Sequence, residues 1–309
     1  MIIRTFDKRK PVLLFLHGGP GIPELFFMKD EVLELEKHFV MVYWEQRGAG
    51  KSYCKNECEL SLKILIEDTK ELAQILCNQF SKDKIYIMGH SWGSLLGLMT
   101  VKTYPQFFYS YFGIGQVTNQ YEAEKSSLQW VTEQAKNNNN FSVVKKLSNL
   151  TLPSKNADTT IWDKYLRIHR KYLLKYGGTF HQKPNFWKIL KNFLFASEYT
   201  IKDKIKFIPS ALYSLKKLWF DVINTNLFFE IKKVDVPVYI FQGKYDYQVS
   251  TELAKKFIEQ LEAPKKEIFI FDNSAHSPNT EEYKKFNKRV KQLVDKQEPN
   301  NYEERNKLP

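Results

Sequence analysis

The pentapeptide Gly-His-Ser-Trp-Gly at residues 89–93 places a serine between two glycines. Residues 84–88 are mostly apolar and favour a strand, and residues 94–104 have a helical pattern that ends before Pro105. A strand that enters a helix through so tight a turn strains the middle residue and holds its side chain clear of the sheet. This spacing predicts Ser91 as a nucleophile, although the same pentapeptide also fits a turn serine without chemistry.

A serine becomes an effective nucleophile only when a base accepts its proton and a third group orients that base. In a strand–turn–helix site the acid follows the serine along the chain, the histidine follows the acid, and each lies after a strand. Asp246 comes three residues after Gly243, just beyond a predicted strand, and His276 follows the next predicted strand. The order predicts His276 as the base and Asp246 as the acid that orients it.

Other aspartates near these strands fit the role less well. Asp235 precedes its strand and so lies at the wrong end of the sheet, while Asp272 lies on the same loop as His276. His38, His169 and His181 have no acidic residue at a matching position in the sequence that could pair with them. His90 lies in the turn at residues 89–93, called here the elbow, and is expected to be structural.

Acyl transfer also needs backbone N–H donors directed at the negative charge that develops on the carbonyl oxygen. Loss of one such donor typically costs about 100- to 1,000-fold in rate. The N–H of Trp92 follows the nucleophile directly. We predict Gly19, in the loop at residues 17–21 after a buried strand, as the second donor of this oxyanion hole.

These residues require strands that alternate with helices, which indicates βαβ units and a mostly parallel sheet. No buried strand is evident between about Gln116 and Val234, where the pattern is mostly helical. We therefore predict an α/β core in residues 1–115 and 236–296, a helical insertion in residues 116–235 and a polar tail in residues 297–309. The predicted strands are residues 11–16, 39–44, 84–88, 107–115, 236–241 and 267–271; the predicted core helices are residues 30–38, 61–80, 94–104, 250–261 and 281–296.

The composition is that of a globular chain, with 43% hydrophobic and 15% aromatic residues in a length of 309. The formal charge of +12 would fit nucleic acid, an anionic surface or a lysine-rich proteome. Lysines are scattered and mixed with acidic residues, and no dense basic stripe with interleaved aromatics stands out. We expect no nucleic-acid partner.

Three cysteines, at positions 54, 58 and 77, argue against a disulfide framework and for a reducing compartment. The pair at 54 and 58 has no second ligand pair nearby, so we expect neither zinc nor any other metal or cofactor. The N-terminus lacks the apolar region of a signal peptide, and no early apolar run could span a bilayer. A cytoplasmic chain is predicted. Gly50-Lys51-Ser52 does not complete a phosphate-binding loop, because Glu45 occupies the position of the required first glycine.

Five motifs together resemble the α/β-hydrolases, and more narrowly their proline iminopeptidase-like branch: His-Gly-Gly-Pro-Gly (17–21), Trp-Glu-Gln-Arg-Gly-Ala-Gly-Lys-Ser (44–52), Gly-His-Ser-Trp-Gly-Ser (89–94), Gly-Lys-Tyr-Asp (243–246) and Ser-Ala-His (274–276). The resemblance implies an eight-stranded, mostly parallel sheet with a helical cap inserted after the sixth strand. It implies Ser91, Asp246 and His276 as a triad and the N–H groups of Gly19 and Trp92 as oxyanion donors. It also implies release of an N-terminal residue, often proline, from a peptide.

The sequence departs from that family pattern in three places. The family usually has antiparallel strands before its first glycine-rich loop, and only ten residues precede Pro11, so we expect at least the first strand to be missing. Glu45 stands where the family commonly has aspartate. Family members that cleave peptides hold the free α-amino group with acidic residues of the cap, and the candidates for that role are Glu122, Glu124, Glu198 and Glu230.

The predicted function is that of a serine aminopeptidase that releases N-terminal residues from short peptides through an acyl-enzyme. A small-molecule esterase or amidase on the same fold is the alternative, since the aromatic-rich cap also fits an apolar acyl group. A non-catalytic α/β-hydrolase that binds a ligand is a third possibility, against which the complete triad argues.

Overall fold

A computed structural model describes residues 1–28, 31–54 and 58–297 of the chain. Its centre is a seven-stranded sheet of order β1-β3-β2-β4-β5-β6-β7, in which β1 pairs antiparallel with β3 and every other pairing is parallel. Every residue of β2, β4 and β6 is buried, as expected for parallel strands covered on both faces. The strands are β1 Ile2–Arg4, β2 Val12–Leu16, β3 Val40–Trp44, β4 Ile85–His90, β5 Phe108–Ile114, β6 Val238–Gly243 and β7 Lys266–Phe271.

Helices cover both faces of the sheet. Leu14 and Ile87 face a core that includes α2, α3 and α10, whereas Leu13 and Met88 face a second core that includes α1 and α12. The alternation along each strand therefore divides its side chains between two apolar layers. The helices are α1 Leu33–His38, α2 Leu62–Phe80, α3 Trp92–Thr103, α4 Gln120–Asn137, α5 Phe141–Ser148, α6 Thr159–Lys175, α7 Phe186–Leu194, α8 Ile201–Asn224, α9 Leu227–Glu230, α10 Thr251–Gln260, α11 Pro278–Glu281 and α12 Tyr283–Asp295.

Helices α4–α9, called here the inserted helices, lie between β5 and β6. The segment leaves and rejoins the sheet at one place, where the Leu227 N–H donates to the Thr118 carbonyl at 2.8 Å and Asn119 forms an antiparallel bridge with Asn226. The predicted helical insertion thus corresponds to six helices, while the division of the chain into separate units at residues 115 and 235 stays a prediction.

The N-terminal residues differ from the prediction, which placed no strand before residue 11. Residues 2–4 form β1, in which Ile3 pairs with Val42 of β3. Three residues are too few to show a strand period in the sequence. The strand β1 forms by antiparallel pairing with the edge of β3. The sheet has one strand fewer than the eight that the resemblance implies. Residue 30, the predicted start of α1, and residues 298–309 of the predicted tail lie outside the described residues, and the short helix α11 was not predicted.

The prediction against disulfides was wrong for one pair. Cys54 and Cys58 form a disulfide, and their Cα atoms lie 5.8 Å apart, within the range that the bond requires. The cysteine count could not reveal this pairing. Cys77 is buried and free. The cytoplasmic location, which rested partly on that count, stays a prediction.

Residues 1–28, 31–54 and 58–297 show neither a membrane-spanning helix nor a cluster of metal ligands. None of the helices in these ranges combines the length and apolarity needed to cross a bilayer. Within the same ranges, His, Cys, Asp and Glu side chains form no group of three or more that could hold a metal ion.

Candidate active site

The turn between β4 and α3 holds Ser91 in a strained backbone conformation, with φ 54° and ψ −120°. A Cβ at Gly89 would collide with the Gly93 carbonyl, and a Cβ at Gly93 would collide with the Leu16 carbonyl of the neighbouring strand. The Ser91 N–H donates to the Ile114 carbonyl at 2.9 Å, which fixes the turn to the end of β5. The two glycines are therefore a steric requirement of this turn.

Asp246 and His276 form a buried pair on the loops that follow β6 and β7. His276 Nδ1 lies 2.9 Å from Asp246 Oδ2, and Gln242 Nε2 donates to the same oxygen at 2.7 Å. Asp246 Oδ1 accepts from the N–H groups of Gln248 and Val249 at 2.9 and 3.2 Å. Because a carboxylate only accepts, Nδ1 of His276 carries the proton and Nε2 has a free lone pair.

His276 Nε2 is buried and has no hydrogen-bond partner among the residues that the structure describes. Ser91 and His276 both line one cavity, but their side chains are not hydrogen-bonded in that part of the chain. Such contacts are often long without substrate and shorten in the reacting complex. The structure thus brings Ser91 and His276 to one cavity and pairs His276 with Asp246.

The inserted helices contact both of the loops that carry this pair. The His276 N–H donates to the Thr179 carbonyl at 3.0 Å, and the Tyr247 N–H donates to the Gly178 carbonyl at 3.1 Å. Glu281 accepts from the backbone N–H groups of His181 and Gln182, and also from the N–H of Ala275, which precedes His276. Residues 178–182, between α6 and α7, are therefore held against both loops.

His90, expected to be structural, forms a buried ion pair with Glu24. Both Glu24 carboxylate oxygens lie 2.9 Å from His90 Nδ1, and His90 Nε2 lies 3.1 Å from the His276 carbonyl oxygen. Burial lowers the pKa of His90, but the Glu24 carboxylate and the His276 carbonyl outweigh it, and the net pKa is raised. Burial likewise raises the pKa of Glu24, but the charge of His90 and the hydrogen bonds to the carboxylate leave it lowered. Nδ1 faces the Glu24 carboxylate and Nε2 faces the His276 carbonyl, with Ser277 Oγ 3.4 Å away, an arrangement that favours the protonated ring.

Glu24 also orders the first glycine-rich loop, because its Oε1 accepts from the Gly18 N–H at 2.6 Å. On the other side of this loop, Gln46 donates from Nε2 to the His17 carbonyl at 2.9 Å and accepts from the Trp92 indole at 2.9 Å. The loop that carries Gly19 is thus joined to the elbow twice, once through His90 and once through Trp92.

The two predicted oxyanion donors have unused N–H groups in the described part of the chain. Neither Gly19 nor Trp92 donates its backbone N–H to a protein acceptor there. Trp92 is the first residue of α3, where N–H groups have no intrahelical partner and the helix dipole favours negative charge. Gly19 has φ 112°, a conformation that a side chain would strain. Both groups remain available to an anion.

The cavity at this site has a volume of about 430 Å³ and is bordered by Ser91 and His276. Three carboxylates also line it, those of Glu24, Glu31 and Glu281. Glu24 is paired with His90, and Glu281 accepts hydrogen bonds from three backbone N–H groups. Glu31 accepts from Lys188 Nζ at 3.0 Å through Oε1, while its buried Oε2 has no partner among the described residues. Glu31 is therefore the one of these three carboxylates with a free acceptor.

The acidic residues expected to bind substrate lie elsewhere. Glu122 and Glu230 are exposed on α4 and α9, and Glu198 lies near Arg4 at 3.8 Å; none of these three lines the cavity. Glu124 is buried in an ion pair with Arg170, whose Nη1 lies 2.9 Å from Oε2. None of these acids therefore has a cavity position that would support a substrate contact. Helix surfaces also carry acidic residues for solvation and ion pairing.

Comparison with known proteins identifies the family. A family model described as alpha/beta hydrolase fold matches residues 11–283. The chain belongs to the alpha/beta-hydrolase family. Among its relatives is a Bacillus subtilis (strain 168) protein named "Probable aminopeptidase YbaC", 36% identical over 91% of this chain and 88% of the relative. A proline iminopeptidase of Saccharolobus solfataricus is 23% identical over 92% of this chain and 84% of its own length.

A solved structure extends the same likeness of fold. The proline iminopeptidase of Mycobacterium smegmatis superposes with a TM-score of 0.67 at 14% sequence identity, covering 95% of this chain and 92% of the other. The predicted α/β-hydrolase fold and family are confirmed, and the chain is a hydrolase by family.

Proposed function

We propose that this α/β-hydrolase is a serine aminopeptidase that releases N-terminal residues, proline among them, from short peptides. The observation that carries the proposal is the buried Asp246–His276 pair, in which His276 lines the same cavity as the strained Ser91 and its Nε2 has no partner among the described residues. The named activity of the Bacillus relative supports the choice of an aminopeptidase.

In the proposed mechanism Ser91 Oγ attacks the carbonyl carbon of the first peptide bond, and His276 Nε2 accepts the hydroxyl proton. The negative charge on the carbonyl oxygen is stabilised by the N–H groups of Gly19 and Trp92. His276 then gives the proton to the leaving amine, the C–N bond breaks, and an acyl-enzyme remains. Water then attacks the acyl carbon while His276 Nε2 accepts one of its protons, and His276 returns that proton to Ser91 Oγ as the ester bond breaks, which releases the N-terminal residue and restores Ser91. Asp246 keeps the ring in the required tautomer throughout.

We assign recognition of the substrate's α-amino group to Glu31. A free N-terminal amine is a cation at neutral pH, and Glu31 lines the cavity with a carboxylate whose Oε2 has no partner among the described residues. A cavity of about 430 Å³ lies in the range of small-ligand sites, which favours short peptides over folded proteins.

The test compares substrates that differ only in the group that the proposal requires. Proline and alanine β-naphthylamides should be cleaved, their N-acetylated forms should be poor substrates, and Ser91→Ala should abolish both turnover and labelling by a fluorophosphonate. Ser126→Ala, which removes a hydroxyl from the outer side of α4, is the matched control and should behave as wild type. Failure to cleave any free-amine amide, with Ser91 still labelled, would refute the aminopeptidase assignment.

A small-molecule esterase or amidase is the second candidate. The apolar part of the cavity wall, formed by Phe27, Met28, Phe180 and Ile189, fits an acyl chain as well as a prolyl ring. Brisk cleavage of p-nitrophenyl esters without release from any free-amine amide would favour this candidate. A well-folded protein that refuses the fluorophosphonate would instead support a non-catalytic ligand-binding role.

A further inference from the structure

The outer side of α7 is apolar and faces solvent. No residue of this nine-residue helix is buried. Phe186, Trp187, Leu190 and Leu194 are exposed, with Trp187 at 81%. At about 100° per residue they lie within an arc of about 100° on the helix surface. Four large apolar side chains on one exposed arc are unusual for a surface that meets only water.

Helix α8 carries a second exposed apolar stripe. Ile201, Ile205, Ile208 and Leu212 follow the helical spacing and are all exposed, with Ile201 at 77%. They lie within an arc of about 60°. The buried residues of α8, such as Phe207, occupy the other side of the helix. The helix therefore has two apolar faces, of which only one is covered by this chain.

Helices α7 and α8 pack against the same aromatic cluster. The inner sides of α7 and α8 meet through Phe193 and Phe207, whose ring centroids are 5.1 Å apart, and both rings pack around Phe26. Lys204 Nζ of α8 donates to the Leu194 carbonyl at the end of α7 at 2.8 Å. Phe207 is buried and Phe193 is half-buried in this cluster, whereas the stripe residues of both helices are exposed and lie outside it. We call these exposed stripes of α7 and α8 the apolar face.

The apolar face has a basic surround. Residues 183–217 contain eight lysines and two acidic residues, a net charge of +6 (8 minus 2), which is half of the chain's +12. Lys202 and Lys216 are exposed on α8 beside the stripe. These lysines are spread over 35 residues and interspersed with apolar residues, so no dense basic run is visible in the sequence.

We propose that the apolar face docks on the surface of an anionic lipid bilayer. Exposed Trp, Phe, Leu and Ile on one side of a helix, with lysines along its borders, are the features that let a helix lie in the membrane interface. Anionic headgroups would neutralise the lysines while the apolar side chains enter the acyl boundary. A second copy of the chain is a poorer occupant, because a twofold contact would place one net charge of +6 against another.

Docking would bring the substrate cavity close to the lipid. Lys188, Ile189 and Asn192 line the cavity from the inner side of α7, and the apolar face is the outer side of that helix. The proposal concerns where the chain works and is independent of which bond Ser91 cleaves.

Co-sedimentation with vesicles tests the proposal. The full chain should bind vesicles of phosphatidylcholine and phosphatidylglycerol in equal parts, and should bind pure phosphatidylcholine far more weakly. The triple variant Trp187→Ser/Ile201→Ser/Ile205→Ser should weaken binding by at least about 100-fold, given the apolar area that each side chain buries in the interface. Phe141→Ser/Ile75→Ser, which removes exposed apolar side chains from α5 and α2, is the matched control and should bind normally.

The charge requirement has its own pair of variants. Lys202→Gln/Lys216→Gln should weaken binding to the anionic vesicles by about 30-fold, at roughly 1 kcal/mol for each lysine at the membrane surface. Lys63→Gln/Lys288→Gln removes the same charge from exposed positions on α2 and α12 and should have little effect. Hydrolysis of a water-soluble ester should be unchanged in all four variants, which reports correct folding.

Three outcomes would overturn the proposal. One is the absence of binding to the anionic vesicles by the wild-type chain. Another is equal loss of binding in the control variants. The third is a dimer in sedimentation velocity that the triple variant dissociates while vesicles bind neither form, since that result would assign the apolar face to a second copy.

Discussion

Glu24→Gln is the substitution that most directly tests the charged pair beside His276, the proposed catalytic base. Glutamine keeps the shape of the side chain and an acceptor for the Gly18 N–H, but it removes the negative charge that faces His90. His90 would then be a buried cation without its partner, next to the carbonyl of His276. The expected result is a loss of stability that depends on pH.

The pH range follows from the directions of the two pKa shifts. The pKa of His90 is raised above 6.5, so its contribution is complete below pH 6.5 and is lost as pH rises through the folded value. The pKa of Glu24 is lowered below 4.5, so its contribution is present above pH 4.5 and is lost as pH falls through the folded value. The pair therefore stabilises the fold most between pH 4.5 and pH 6.5.

The size of the effect is bounded by two limits. Removing one partner of a buried pair costs about 3–5 kcal/mol when the other charge must remain, whereas a lost hydrogen bond costs about 1 kcal/mol. His90 in the variant can shed its proton at high pH but is driven to protonate on unfolding at low pH. We expect a loss of about 3 kcal/mol at pH 6, or roughly 6 °C in Tm. At pH 9 the loss should shrink to about 1 kcal/mol.

Thermal unfolding followed by circular dichroism measures the loss of stability at pH 6 and at pH 9. Glu122→Gln removes an exposed carboxylate and should change Tm by less than about 1 °C at either pH. The double variant Glu24→Gln/His90→Asn should recover part of the loss at pH 6, because no unpaired cation remains. An equal drop in Tm at both pH values, or none at pH 6, would refute the charged pair.

Three further substitutions address the site itself. Asp246→Asn should lower kcat for a p-nitrophenyl ester by about 10⁴-fold, by analogy with other serine triads, because the amide stabilises the wrong tautomer of the histidine; a loss below tenfold in steady-state kinetics would contradict its role. Gly93→Ala should abolish fluorophosphonate labelling because the new Cβ meets the Leu16 carbonyl, whereas Gly97→Ala, whose Cβ would come no closer than 3.0 Å to a ring carbon, should retain it. Glu31→Gln should raise KM for free-amine amides by about tenfold or more while esters are cleaved as before, and equal effects on both substrates would exclude an amine contact.

The strands, the elbow and the relative order of Asp246 and His276 could be predicted because each is encoded locally. A buried strand is a continuous apolar run, and the elbow is a steric arrangement of five consecutive residues. The loops after β6 and β7 meet because neighbouring parallel strands end at the same edge of the sheet. The family and the fold are confirmed, while the roles of the site residues remain proposals.

The residues that sequence reasoning missed depend on packing between distant segments. Glu24 and His90 are 66 positions apart, and nothing in either local sequence indicates that they meet. The substrate contacts of the cap acids stay predictions, since a glutamate on a helix has the same local pattern whether it faces a cavity or water. Glu31 could have been found only by asking which acid lies on the loop between β2 and α1, close to the cavity.

The hydrogen bonds between residues 178–182 and the loops after β6 and β7 have a consequence for protein engineering. Exchanging the inserted helices for those of a relative would be an obvious way to change substrate preference. In this chain the exchange would also remove the Thr179 carbonyl from the His276 N–H and the Gly178 carbonyl from the Tyr247 N–H. A chimera that takes new helices must therefore keep this short stretch, or substitute it together with both loops, if the catalytic geometry is to survive the change in specificity.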